Sequence, residues 1–444
     1  MVRARYKRLV DTFAADIRDG HLAPGTRLPT HRRLASEHGI ALVTASRVYA
    51  ELEKMGLVSG ETGRGTFVRE TALPLSHGID QKSVAEGMVD LNFNSPSLPE
   101  QTSLFRDTLR QLASSGDIEA LLHYQPHVGR KHERSIIADH LSHRGIDVET
   151  ERVIVVNGAQ HGLATIVMGL LSPGDVVATD ALTYPGFKVL ADVHRLELAP
   201  ISLSKQGPDL ASLEELCQNR KVKAVYAMPT LHNPMGWVIN LDWRKQLIAI
   251  ARKYKLLIIE DAAYAFHAEE PPASLVSLAP DITVYVSGIS KSIATGLRVG
   301  FVVAPCKWIP EIERVIRATT WNTPALMTGI ACRWIEDGTV IRLEVEKRKD
   351  AETRQLMAKD IFKGFDYVSH PTSYFIWLPL PEEVRSDQIV MQLLRENISV
   401  STAEPFATTD HVPHALRIAL GSVDLEMLQK ALMKVRQAID GYAY

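Results

Sequence analysis

The run ITVYVSGISKSIATGLRVG, residues 282–300, decides the fold of most of this chain. Its first five residues, Ile282-Thr283-Val284-Tyr285-Val286, are apolar or β-branched without alternation. That pattern fits a strand covered on both faces, as in a mostly parallel sheet. The run then breaks at Ser287-Gly288, and Ser290 and Lys291 follow at once. Ligands of such sheets gather beyond the carboxyl ends of the strands, and a lysine placed there is a candidate amine nucleophile.

Other runs of the same kind lie on either side. Val153-Ile154-Val155-Val156, residues 175–178, residues 224–227 and Leu256-Leu257-Ile258-Ile259 alternate with helical stretches. An α/β domain with a parallel sheet follows. The residues after these runs are polar where a scaffold would not need it. Gly158, Ala159 and Gln160 open a helix after Val156. A glycine there exposes backbone N–H groups to an anion, and the helix dipole adds attraction. Asp261 ends the run at 256–259 with Glu260, and a buried carboxylate is costly without a cationic partner. Each of these alone is an ordinary surface charge or turn glycine; their order carries the argument. Five histidines between His123 and His143 lack supporting cysteines and read as solvated or capping groups, not a metal site. Tyr374-Phe375-Ile376-Trp377 reads as a core strand of a smaller C-terminal lobe.

The first seventy residues differ in kind. Tyr6, Leu9, Val10, Phe13 and Ile17 recur at helical spacing and predict a helix ending near Gly20, before a turn at Pro24-Gly25. Thr30 can cap a helix over 31–38 that Gly39 closes in the left-handed conformation. Ala45, Val48, Tyr49, Leu52 and Met55 mark the inner face of a third helix, stopped by Gly56. Strand-like residues 57–59 and 66–68 flank a turn with two glycines, Gly63 and Gly65. Three helices followed by a hairpin describe an α+β winged helix-turn-helix. Residues 1–70 hold 12 Lys/Arg against 8 Asp/Glu, whereas the whole chain has net charge −2, so the basic excess sits where DNA would be met. Residues 71–87 show no periodicity and predict a linker of 17 residues before a domain over 88–444. Extended, it would reach roughly 55–60 Å; as flexible coil, roughly 20–25 Å.

Residues 24–68, PGTRLPTHRRLASEHGIALVTASRVYAELEKMGLVSGETGRGTFV, closely resemble the DNA-binding domain of GntR-type bacterial regulators. The resemblance implies that Arg32, the start of the third helix (Leu42, Val43, Thr44, Ser46) and Arg64 of the wing face double-stranded DNA. A recognition helix places its N-terminal side chains on base edges, and Arg and Thr also hold phosphates. The family often has Ser-Arg where this chain has Ala41-Leu42, so one expected contact is missing. The alternative for Arg32, Arg33 and Arg47 is a solvated basic face.

From about residue 90 onward the chain resembles the fold type I, pyridoxal-phosphate-dependent aminotransferases of the aspartate aminotransferase group. The motifs are residues 124–129, Gly158-Ala159-Gln160, Tyr184-Pro185-Gly186 and 229–236 with Asn233. They continue through Asp261-Ala262-Ala263-Tyr264, Ser290-Lys291, residues 296–300 with Arg298, and Arg417. The resemblance implies pyridoxal 5′-phosphate as cofactor, with Lys291 holding its aldehyde as a Schiff base. Asp261 would keep the pyridine nitrogen protonated so that the ring acts as an electron sink. Asn233 and Tyr264 would bond the ring hydroxyl, and Tyr184 would stack on the ring. The phosphate would sit on Gly158, Ala159, Gln160, Ser290 and Arg298, with Tyr124 reaching across a homodimer. Arg417 would clamp the carboxylate of an amino acid. Two departures stand out. The usual serine three residues before the lysine is Gly288, with Ser287 one place early; and residues 92–96, Asn-Phe-Asn-Ser-Pro, lack the glycine that makes room for a substrate carboxylate.

A GntR-type winged helix joined to an aminotransferase-like domain resembles the MocR-type bacterial transcription regulators. That implies a DNA-binding regulator whose large domain senses an amino acid or pyridoxal phosphate. The alternative is a working aminotransferase with an accessory DNA-binding domain. Three scattered cysteines argue against a disulfide framework, no apolar run approaches 18 residues, and the basic N-terminus is interrupted by Asp11 and Asp16. These features lead to the expectation of a cytoplasmic protein without a membrane span.

Overall fold

The computed structural model describes residues 2–18, 21–22, 26–55, 57–61, 65–68, 88–96, 98, 100–114, 118–204, 207–381, 384–409 and 412–441. The expected linker, the turn at Pro24-Gly25, Gly20, Gly56 and the wing residue Arg64 lie outside them.

The N-terminal part is a three-helix unit with a hairpin. Helices Val2–Arg18, His31–His38 and Leu42–Lys54 enclose one core of Tyr6, Val10, Leu34, Val48 and Leu52. Thr30 caps the second helix by accepting from Arg33 N–H, and Gly39 ends it at φ 58°. That positive φ is the reason for a glycine. Val58–Glu61 and Gly65–Val68 pair antiparallel, with Val58 opposite Val68.

The large lobe is built on a seven-stranded sheet. Its spatial order is Val153–Val156, Gly300–Val303, Thr283–Gly288, Leu257–Asp261, Val222–Ala227, Val176–Asp180, Glu197–Ile201. Gly300–Val303 runs antiparallel to both neighbours; the other strands are parallel. Val153–Val156, Val176–Asp180 and Leu257–Asp261 are buried at every position, which is why their sequences show no alternation. The antiparallel strand is hidden in the sequence inside the glycine-rich motif that ends at Gly300. It runs back between Val153–Val156 and Thr283–Gly288, away from the strand ends where Arg298 lies.

Helix Thr339–Ile361 joins the two lobes. Val340 and Leu343 near its start pack in a core with Phe301 and Trp334, and Ala358 near its end packs with Ile376 and Leu432. The smaller lobe carries an antiparallel sheet in the order Val368–Ser369, Phe375–Pro379, Ala415–Ala419, Ser401–Thr402. The aromatic run at 374–377 leads into and forms its central core strand, as its sequence implies. Helices Ser386–Arg395 and Leu425–Asp440 cover it. Among the described residues, no helix is long and apolar enough to cross a membrane.

Candidate functional site

The carboxyl ends of the parallel strands converge on a cavity of about 160 Å³. Its wall contains most of the residues singled out by sequence: Ala159, Gln160, Tyr184, Asn233, Asp261, Tyr264, Ser290, Lys291, Arg298 and Arg417. A larger hollow of about 530 Å³ opens at the opposite ends of the strands and contains none of them. Convergent polar groups, not size, select the first.

Asp261 is the last residue of its strand and is buried. Its Oδ2 accepts from the Tyr226 hydroxyl at 2.7 Å and its Oδ1 from Ala263 N–H at 3.0 Å. Burial raises its pKa, while these donors and nearby His232 act in the opposite sense. His232 Nε2 in turn lies 2.8 Å from Asp180 Oδ2. The Tyr226 ring is held by stacking on Phe187 at 3.8 Å between centroids. Sequence reasoning misses Tyr226 and the His232–Asp180 pair. Tyr226 sits inside an apolar strand run, and only the pairing of Val222–Ala227 with Leu257–Asp261 brings it to the carboxylate.

The turn at 157–160 has the geometry to take an anion. Helix Gly158–Leu170 begins there, so its first N–H groups have no intrahelical acceptor. Gly158 has φ +79°, and a Cβ on it would stand 2.9 Å from Arg298 Nη2. A side chain at 158 would therefore push Arg298 out. Gln160 directs its side-chain Nε2 to Gly186 O at 2.9 Å, leaving its backbone to the cradle. The ring of Tyr184 lies over Gly186, where a Cβ would come within 2.5 Å of it.

Lys291 Nζ donates to Asn94 O at 3.2 Å and stands 5.8 Å from the centre of the Tyr264 ring. Arg417 is buried, lies 5.0 Å above the Phe375 ring, and donates through Nη1 to Asn92 O. The segment without a glycine thus places backbone carbonyls against both cations. It is pinned there by Gly421 N–H to Asn94 Oδ1 at 3.1 Å and by Ser422 to Phe93 O. At the other departure, before the lysine, the buried Ser287 hydroxyl donates to Ala262 O at 3.0 Å. It is engaged there and is not among the residues that line the cavity. Tyr124 is 86 % exposed, 5.5 Å from Trp321 by ring centroids, and outside its own chain's cavity.

On the winged helix, Arg32, Leu42 and Val43 are exposed, and Thr44 and Ser46, near the start of the third helix, are half-buried. Ser46 Oγ is 3.0 Å from His31 Nδ1. Two of the three arginines on this basic face have protein partners: Arg33 pairs with Glu37 at 2.7 Å, and Arg47 stacks 4.5 Å from the Tyr6 ring centre. Arg64 lies outside the described residues. Of the clustered histidines, His127 and His143 bond backbone carbonyls. His140 is buried against Phe301, and that burial pushes its pKa down to about 3.

The sequence pattern of the family described as "Aminotransferase class I and II" matches residues 86–435. The chain belongs to this aminotransferase family. Residues 5–68 match "Bacterial regulatory proteins, gntR family". Among similar proteins, the HTH-type transcriptional regulator YdeF of Bacillus subtilis is 26 % identical over 98 % of this chain and 94 % of its own length. A 2-aminoadipate transaminase of Thermus thermophilus is 25 % identical over 73 % of this chain and 83 % of its own. The solved structure of LysN, an alpha-aminoadipate aminotransferase of Thermus thermophilus complexed with N-(5′-phosphopyridoxyl)-L-leucine, superposes with TM-score 0.73. It is 24 % identical, covers 82 % of this chain and 96 % of that one, and shows the fold.

Pyridoxal 5′-phosphate is the cofactor of this aminotransferase domain, and the residues present fit it. Ser290 Oγ, Asn233 Oδ1 and Arg417 Nε are buried without a hydrogen-bond partner and lie on the cavity wall. Buried polar atoms of that kind call for a ligand. The Gly158 cradle admits Arg298 only because it has no Cβ. Replacing Tyr226 by Phe removes the hydroxyl that donates to the Asp261 carboxylate and leaves Ala263 N–H in place. Titration of the full-length apoprotein is expected to show pyridoxal-phosphate affinity reduced about tenfold, since a lost bond to a buried charged group is worth about 1.5–3 kcal/mol. Unchanged affinity would remove Tyr226 from the site.

Proposed function

We propose that this chain is a bacterial DNA-binding transcription regulator whose large domain holds pyridoxal phosphate and senses an amino acid or the cofactor itself. In this reading Lys291 binds the aldehyde, and the cofactor supplies a charged, electron-withdrawing ring. Asp261, held by Tyr226, faces the pyridine nitrogen; Asn233 and Tyr264 orient the ring oxygen; Tyr184 covers the ring. Backbone N–H groups of Gly158, Ala159 and Gln160, with Ser290 and Arg298, take the phosphate. Arg417 takes the effector carboxylate. The chain acts as a homodimer in which the exposed Tyr124 serves the neighbouring site, and it works in the cytoplasm, where its operator is. The units are 1–70 for DNA, 71–87 as linker and 88–444 for cofactor and effector.

The observation that carries this reading is a direct contact between the two functions. Arg385 Nη2 lies 2.6 Å from Asp11 Oδ1, on the first helix of the winged unit, and His414 Nε2 is 3.9 Å from the same atom. His414 immediately precedes strand Ala415–Ala419, which carries Arg417. Such a link gives the cofactor lobe a physical route to the DNA-binding unit.

DNA binding is expected to reside in residues 1–70 and to fall with salt. Arg32→Ala and Arg64→Ala should each weaken operator binding and flatten the log–log salt slope by about one unit per lost phosphate contact. Specific binding that survives deletion of residues 1–70 would overturn this. A working aminotransferase with an accessory DNA-binding domain is favoured by the convergence of Lys291, Asp261 and Arg417 in one cavity. A steady-state transamination assay beside an operator titration separates the two.

A further inference from the structure

Lys347 has no part in the chemistry described above, yet it is only 1 % exposed. It sits in the first half of helix Thr339–Ile361, between the part packed in the large lobe and the part packed in the small one. A buried ammonium is costly, and an apolar side chain of similar size would fill the space more favourably. The charge therefore has a use.

Its hydrogen bonds indicate which. Lys347 Nζ donates to Ile293 O at 2.7 Å and reaches Lys291 O at 3.4 Å. Residues 290–293 form an irregular turn after strand Thr283–Gly288, so their inward-facing carbonyls need donors from elsewhere. Gln101 Nε2 supplies one more, to Ile293 O at 2.7 Å. Lys347 is itself fixed: the Tyr374 hydroxyl lies 3.0 Å from Lys347 O and 2.8 Å from Asp350 Oδ2. Tyr374 leads into the central strand of the small lobe. Backbone carbonyls, rather than a carboxylate, thus hold the Lys347 charge.

We propose that Lys347 is a positioning residue for Lys291: its ammonium clamps the turn 291–293 and so aims the Lys291 amine at the cofactor aldehyde. The step it serves is redox-neutral. The Lys291 nitrogen bonds to the aldehyde carbon, a C=N bond replaces C=O, and the oxygen leaves as water. The groups facing Lys347 are Lys291 from the turn, Glu344 and Asp350 from its own helix, and His267 from the 265–267 turn. Burial first, then the like charge of Lys291, lowers the Lys347 pKa to about 8.

This inference rests on Lys291 as the cofactor lysine and is tested with two probes on the full-length, cofactor-stripped protein. Pyridoxal phosphate binds with formation of the covalent link; pyridoxamine phosphate uses the same cradle without it. In Lys347→Met the affinity for pyridoxal phosphate and its rate of capture should fall about tenfold or more, as for a lost bond from a charged donor. Affinity for pyridoxamine phosphate should stay within about twofold, within the scatter of a surface substitution. Lys347→Arg, which keeps a charged donor, should recover most of the capture rate. If both probes lose affinity in parallel, or neither does, Lys347 is not a positioning residue for Lys291. Should Lys347→Met not fold, Lys347→Gln, uncharged and one bond shorter, is read by the same two numbers. Lys291→Ala separates the premises: if it captures pyridoxal phosphate like wild type, the assignment of Lys291 fails, whatever Lys347 does.

Discussion

Lys291→Ala is expected to be folded and to carry no covalently attached cofactor. Wild-type protein loaded with pyridoxal phosphate should absorb in the visible and retain the label after borohydride reduction. The alanine variant should lose the reducible label completely, and any cofactor still held should show only the absorbance of the free aldehyde. The fold should survive because Lys291 is half-buried and its amine is held by the bond to Asn94 O at 3.2 Å. Losing one such bond costs about 1 kcal/mol. The cradle at 157–160, Ser290 and the Asp261–Tyr226 pair do not depend on it, so non-covalent cofactor binding should persist at reduced affinity. Absorbance spectra, intact mass after reduction and a melting curve check the three parts. A reducible chromophore that persists in Lys291→Ala would move the covalent link to another lysine. The buried Lys347, whose own titration feels the charge of Lys291, would be the first to test.

Most of this site can be read from the sequence because strand ends are easy to recognise in a buried parallel sheet. Uninterrupted apolar runs locate the strands, and the polar residues that follow must lie at one edge. Lys291, Asp261 and the 157–160 turn are all found that way. Local chemistry is equally legible at Thr30 and Gly39, where a cap and a positive φ leave a residue-level mark. Long-range pairing leaves none. Nothing in residues 222–227 announces that Tyr226 reaches Asp261 from the neighbouring strand, or that Lys347 lies behind Lys291, 56 residues away. The strand Gly300–Val303 escapes a sequence reading for a related reason. Its glycine and short apolar run are absorbed by the motif around Arg298, and its antiparallel direction is set by neighbours, not by its own residues. The single chain also leaves Tyr124 exposed, outside its own cavity.

Arg417→Ala is expected to keep the yellow colour and the basal operator affinity yet lose the response to an amino acid. The reasoning follows strand Ala415–Ala419. At its centre Arg417 faces the cavity, with Nε buried and unpartnered and Nη1 on Asn92 O. A carboxylate arriving there adds contacts present in one state and absent in the other, which is what a population shift requires. Just before the strand, His414 approaches Asp11 of the DNA-binding unit, which Arg385 also holds. The strand itself is paired on both sides, with Phe375–Pro379 and Ser401–Thr402, so a displacement at Arg417 is carried rather than absorbed. Allosteric coupling of about 1–3 kcal/mol corresponds to a change in operator affinity of roughly 5–150-fold. Arg417→Ala should reduce that ratio to about one by abolishing ligand binding. Arg385→Ala should reach the same ratio by a different route, binding the amino acid as wild type does while the operator no longer notices. Operator titrations with and without each of the common amino acids, in wild type and both variants, distinguish these outcomes. An equal ligand response in wild type and Arg417→Ala would remove Arg417 from the effector site and leave pyridoxal phosphate itself as the signal. A full response in Arg385→Ala would mean that the signal reaches the DNA-binding unit by some path other than the Arg385–Asp11 pair, with His414 beside Asp11 the next to test.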